Sequence, residues 1–230
     1  MKLAPITKAL LTPVVISFLS VSQSDATLVS IDNYSFEQPD LGAGGATLAV
    51  PTGWNSTGVA EVGGVGNGWN GGAVNISNLD GVQAGWFNVT VGNGLYQVLP
   101  DTYTTGQSYE LTVGIVKASS AWTNWTSGNE VTIELYYGDF NVIASASVLS
   151  DSLNDSQGAL TYFTASLSTV EAGDAWANQS IGIRLVSTVD NSGGANDWAV
   201  DNVTLNAVPE PGSMALAGLS ALLLIRRRRA

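Results

Sequence analysis

The chain contains no cysteine and no histidine. Those two absences remove disulfides, thiol catalysis, Cys/His zinc sites and every Ser-His-Asp or Cys-His nucleophilic arrangement. A chain without cysteine must hold itself together by its core. Cations are scarce as well. Of the 8 Lys and Arg residues, Lys2, Lys8 and Arg226 to Arg229 belong to the two ends, so Thr27 to Ala207 keeps only Lys117 and Arg184 against 17 carboxylates, a net charge of −15. Phosphate recognition needs clustered Lys and Arg, so nucleic acid is not a partner and anionic lipid surfaces are poor ones. Neutral sugars and divalent cations are compatible with such a field. Long helical patterns are also missing. The 230 residues, less the ends, leave room for one domain with a single core.

The ends carry addresses. Lys2 and Lys8 precede an apolar stretch from Ala9 to Val21, and Ser24 and Ala26 stand at the −3 and −1 positions of a cleavage site. This predicts a signal peptide over residues 1–26, Sec-type export and a mature start at Thr27. At the other end, Val208-Pro209-Glu210-Pro211 is followed by an apolar run to Ile225 and by Arg226, Arg227, Arg228 and Arg229. As a helix, Ser213 to Ile225 reaches only ~20 Å against a hydrocarbon core of about 30 Å, too short for a comfortable permanent anchor. It can halt in the bilayer by tilting while the arginines fix that end on the cytoplasmic side. The two prolines favour an extended approach, which presents exposed backbone outside the membrane. The segment 208–230 resembles the PEP-CTERM sorting signal. That resemblance implies a membrane-embedded exosortase as processing partner and a place at the cell envelope, the surface or outside, after a transient membrane stage.

Between the ends the texture is Gly, Asn, Ser, Thr and Val in short alternating segments, which reads as all-β. Tyr109, Leu111, Val113 and Ile115 alternate with polar or small residues, as do Val131, Ile133, Leu135 and Tyr137, and Ile181, Ile183 and Leu185. Gly138-Asp139 reads as a two-residue hairpin turn. Further strands are expected near Leu28 to Phe36, Ala73 to Ser77, Gln83 to Thr90, Leu95 to Leu99, Leu160 to Leu167 and Trp198 to Asn206. Gly42 to Gly45 and Gly63 to Gly72 read as loops. So many short strands in one domain require two packed sheets or a barrel.

An ordered set runs through this domain: Asn33-Tyr34-Ser35-Phe36-Glu37, Pro51-Thr52-Gly53-Trp54, Asp80-Gly81-Val82-Gln83, Leu95-Tyr96-Gln97-Val98-Leu99 and Asp201-Asn202-Val203-Thr204-Leu205. It resembles the galactose-binding-like jelly rolls of sorted exoproteins and carbohydrate-binding modules, which implies a jelly-roll β-sandwich over 27–207. If first and last strands pair, Glu37 and Asp201 approach, and two carboxylates with backbone carbonyls are what Ca²⁺ binds. In the resembled modules that calcium is structural. The other reading makes Glu37 a loop residue and Asp201 a turn former, with no ion.

The chain has 7 tryptophans. Trp122, Asn124 and Trp125 form the best sugar-stacking cluster, with indole faces for a pyranose and an amide for its hydroxyls. Packing at the sandwich rim is the alternative, and for Trp54, Trp86 and Trp198 packing is the expectation. No spacing singles out the carboxylate pair a glycoside hydrolase needs. The sequence therefore predicts an exported, sorted, non-catalytic protein that contacts extracellular polysaccharide. A matrix protein without specific sugar binding and a carboxylate-dependent glycoside hydrolase are the alternatives.

Overall fold

The structure, a computed structural model, describes residues 25–69, 75–118, 125–154 and 158–210. Residues 1–24 of the expected signal peptide, Trp122, Asn124, Pro211 and Arg226 to Arg229 lie outside the described residues. The strands are β1 (Thr27–Val29), β2 (Ala46–Thr47), β3 (Asn55–Ser56), β4 (Val62–Gly66), β5 (Gln83–Asn88), β6 (Gly94–Thr102), β7 (Gln107–Ala118), β8 (Glu130–Tyr137), β9 (Asn141–Leu149), β10 (Thr161–Leu167), β11 (Ser180–Val189) and β12 (Asp197–Pro209). Among the described residues the helical element is a 3₁₀ turn, Ser150–Ser152.

They form an antiparallel β-sandwich of jelly-roll type. A seven-stranded sheet runs β10-β7-β12-β5-β4-β2, with β1 added to β12, and a five-stranded sheet runs β3-β6-β11-β8-β9. β12 is the axis of the larger sheet, held by β7 along its length, by β5 at Asp197 to Val200 and by β1 at Leu205 to Ala207. The alternating residues predicted to face inward do so. Leu111, Val113, Ile115, Val131, Ile133, Leu135, Ile181, Ile183 and Leu185 are buried in one core with Trp54, Trp198 and Val200.

Successive residues of a strand point to opposite faces. Val200 and Ile115 enter the main core, while their neighbours Ala199 and Val116 join Val65, Ile76, Ala84 and Leu160 in a second apolar layer. Trp69, Leu79 and Trp86 pack against that layer. The larger sheet is thus covered on both faces.

The structure departs from the sequence reading at four places. β1 stops at Val29, well before Phe36, because Asn33 and Phe36 adopt φ of 48° and 56° and turn the chain out of the sheet. The described residues of the run ending at Ser77 form no strand. Gly63, Gly64 and Gly66 belong to a buried strand rather than a loop. Glycine is required there by close approach, since a Cβ on Gly63 would lie 1.9 Å from the Thr47 carbonyl oxygen. Finally, the β8–β9 turn takes in Gly138, Asp139 and Phe140, with φ of 53° at Gly138 and 55° at Phe140.

Candidate functional site

The Asn33-to-Glu37 turn is assembled from its own backbone. The Phe36 N–H donates to the Asn33 carbonyl at 3.0 Å, and the Phe36 ring stacks on Trp54 with centroids 5.0 Å apart. That ring fills the space above Gly85, where a Cβ would lie 2.6 Å from it. With Phe36 locked, Glu37 reaches over Gly81 and its Oε1 accepts from the backbone N–H groups of Val82 and Gln83, each at 2.8 Å. From the other end of the chain, Asp201 leaves β12 where the β7 register shifts, next to Asn202 at φ 51°.

Asp201 is fully buried. Its Oδ2 accepts from the Asp80 backbone N–H at 2.7 Å, and its Oδ1 has no partner. Burial pushes this carboxyl up to about 8; hydrogen bonds from the Asp80 and Asn202 backbone pull the other way, and the charges of Asp80 and Glu37 add to the rise. Two tyrosines flank it. The Asp80 carboxylate beside Tyr34 raises its phenol, and the Tyr34 carbonyl accepts from the Val203 N–H at 3.0 Å. The Tyr162 hydroxyl accepts from Asn202 Nδ2 at 3.3 Å. Both rings are exposed, at 43% and 44%. Glu37 and Asp201 thus each hold backbone N–H groups of the segment Asp80 to Gln83, and the Glu37 charge acts on the Asp201 carboxyl; Asp80, Tyr34 and Tyr162 lie alongside, which sequence reasoning did not place there. Among the described residues no group of three or more His, Cys, Asp and Glu has the arrangement of a metal cage.

A second group occupies the outer face of the five-stranded sheet. Register sets Tyr96 and Glu134 on either side of Arg184. Arg184 Nε donates to Glu134 Oε2 at 2.5 Å, and its guanidinium carbon lies 4.4 Å from the Phe140 ring centroid. Phe140 meets Tyr96 edge-on at 5.1 Å and Tyr136 at 4.9 Å. The Tyr136 ring lies across Gly182, where a Cβ would come within 2.4 Å of it. Sequence reasoning missed this patch. Its one signal was Arg184, a rare cation set in an alternating strand.

Of the predicted sugar-binding cluster, only Trp125 is described. Its indole N–H donates to the Ala118 carbonyl at 3.1 Å and its ring packs 5.0 Å from Trp198. The start of the sorting motif is also placed, and not as freely exposed backbone. Val208 and Pro209 close β12, half-buried and paired with Ser108 and Gln107, because β7 is long enough to receive them. Glu210 follows them, exposed.

Residues 27–206 match the HpiC1-like family, described as HpiC1 cyclase, and residues 207–229 match the PEP-CTERM protein-sorting motif. The chain thus carries the sorting signal of exported proteins. No curated protein matches it in sequence. Among solved structures, a Stig cyclase from Fischerella sp. TAU in complex with (3Z)-3-(1-methyl-2-pyrrolidinylidene)-3H-indole is 22% identical with a TM-score of 0.67, covering 80% of this chain and 99% of that one. A cyclase from the same organism in complex with 4-(1H-indol-3-yl)butan-2-one is also 22% identical, with a TM-score of 0.66 and coverage of 80% and 98%. An arabinose-bound α-L-arabinofuranosidase is 15% identical with a TM-score of 0.51; 82% of this chain aligns to only 27% of that one. These likenesses speak to the fold. The family match overturns the expectation of a non-catalytic module, because the family is that of a cyclase. With its match running over nearly the whole sandwich, the chain belongs to the HpiC1 cyclase family.

Proposed function

We propose that the protein is an exported, exosortase-sorted enzyme that promotes ring closure by proton transfer, with Asp201 holding the proton. The supporting observation is the Asp201 carboxyl, buried, unpaired at Oδ1 and pushed up to about 8. Ring closure by rearrangement needs no oxidant, only a proton delivered to the substrate and another removed. A carboxyl still protonated at neutral pH can deliver it. Tyr34 and Tyr162 beside it offer ring faces for a flat substrate to cover. Indole-bearing ketones and imines are the first substrates to try, since indole compounds are bound by the Fischerella cyclases. Asp201→Asn keeps the shape and removes the acid, so it should abolish conversion without unfolding the protein. Full turnover by that variant overturns the assignment.

The same atoms support a second reading. A buried, unpaired carboxylate oxygen that feels the charges of Asp80 and Glu37 favours positive charge beside it, which a calcium ion can supply as well as a proton. The donor on offer is the unpaired Asp201 Oδ1, with Glu37 and Asp80 as the carboxylates whose charges it feels. The ion would neutralise the cluster and tie the first turn to the last strand. A chelator-sensitive melting temperature that becomes insensitive in Asp201→Asn favours the ion.

Association with extracellular polysaccharide belongs to the patch on the five-stranded sheet rather than to Trp125, whose indole N–H is committed to Ala118. Tyr96 and Phe140 present partly exposed rings there, backed by the Arg184–Glu134 ion pair.

A further inference from the structure

A segment read by another protein in extended form must offer its backbone N–H and C=O groups for pairing. In this domain the start of the sorting motif has already committed them. Val208 pairs with Ser108 and Pro209 with Gln107, and the Ser108 hydroxyl also donates to the Val208 carbonyl at 3.2 Å. The Glu210 N–H donates to the Gly106 carbonyl at 3.1 Å, and the Glu210 carboxylate accepts from the Thr169 hydroxyl. Thr169 is itself fixed next to β7. The Val170 N–H donates to the Gln107 carbonyl and the Gly106 N–H donates to the Val170 carbonyl, each at 2.9 Å. On its other side β12 is covered only as far as Ala207, which faces Thr27, so the motif is held from the β7 side.

We propose that the folded domain keeps its own sorting motif closed, with Thr169 as the latch, and that the sorting enzyme reads Val208 to Glu210 only once they have peeled from β7. This rests on the sorting reading of the motif. The peeled form requires loss of the Glu210 bonds while the rest of β12 stays paired, so it is a local opening. Thr169→Val removes the side-chain latch and leaves the backbone pairing. One such hydrogen bond shifts the opening equilibrium by about fivefold.

Hydrogen exchange on the full chain tests the docking. The Glu210 amide should be protected in the wild type and should exchange about fivefold faster in Thr169→Val, with core amides of β11 unchanged. Exchange of wild-type Glu210 at the rate of a free peptide overturns the proposal. Intact-mass time courses in an exosortase-bearing host test the gate. Thr169→Val should lose its tail faster than wild type, and an unchanged rate overturns the gate. Because the protein has no cysteine, Ser108→Cys with Val208→Cys gives a clean staple. It should slow tail loss at least tenfold relative to its reduced form, and equal loss of the tail from both forms counts against the gate. A wild-type chain that is never shortened defeats the sorting reading itself, and the gate with it, while the exchange data still report on the docking.

Discussion

Asp201 accepts a 2.7 Å hydrogen bond from the Asp80 N–H with one carboxylate oxygen and leaves the other buried without a partner. A carboxylate so placed is costly, and the protein bears that cost as a dependence on pH.

With its carboxyl raised from 3.8 to about 8 in the fold, Asp201 binds more protons folded than unfolded between those values. Stability therefore falls as pH rises from about 4 to about 8 and levels off above. Asp197, which burial pushes up to about 6, adds to the fall in the lower part of that window. Melting temperatures measured from pH 4 to 9 in chelator should decline accordingly. Asp201→Asn should flatten the upper part of the curve, and a wild-type profile level from pH 6 to 8 counts against the raised carboxyl.

Calcium binding would act on the same group from the other side. An ion bound only by the folded state at a hundred times its dissociation constant stabilises by about 2.7 kcal/mol. In a domain of this size that is roughly 5 to 10 °C. The gain should grow with pH, as the proton competitor leaves, and should vanish in Glu37→Gln with Asp201→Asn. Identical melting curves in calcium and chelator at pH 8 would rule the ion out.

Phe140 is 37% exposed and stands at the end of a hairpin, so its removal should be mild for the fold. Phe140→Ala should cost about 1 kcal/mol, relieving a positive φ only in part. If the patch takes a polysaccharide, the same change should weaken binding about tenfold, read by affinity electrophoresis or calorimetry. Unaltered affinity removes the patch from the binding surface.

Gly182 has no room for a side chain, since a Cβ would lie 2.4 Å from the Tyr136 ring. Gly182→Ala should cost about 2 kcal/mol by overpacking, seen as a lower denaturant midpoint with unchanged slope. A fully stable variant would mean that the Tyr136 ring can leave its seat at no cost.

Period-two alternation made β7, β8 and β11 readable, because inward residues of a half-buried strand must be apolar. β4 was not readable. Its Val-Gly-Gly-Val-Gly has the composition of a loop, and the demand for glycine comes from Thr47 and Gly42, which only the folded chain brings against it. That Glu37 and Asp201 belong to one ordered pattern could be read at the two ends of the domain. Tyr34, Asp80 and Tyr162 could not: the first two come from turns, which have no period, and Tyr162 stands on the outward face of edge strand β10, where alternation says only that it faces away from the core. The Arg184 patch was hidden for another reason. Thr132, Glu134 and Tyr136 occupy the face of β8 that alternation assigns to solvent, yet they are buried, because Ser147 and Thr188 meet Thr132, Arg184 pairs with Glu134, and Phe140 packs on Tyr136.

The position of β12 also has a mechanical side. Tension applied at Glu210 runs along the strand axis. It frees Val208 to Glu210 first, one bond after another, and then meets a strand gripped by β7 on one flank and by β1 and β5 on the other. From there the load falls on many bonds in shear at once, and failure under force is governed by a rate of unfolding rather than by an equilibrium. A domain tugged by its C-terminal end would yield three residues easily and the remainder slowly.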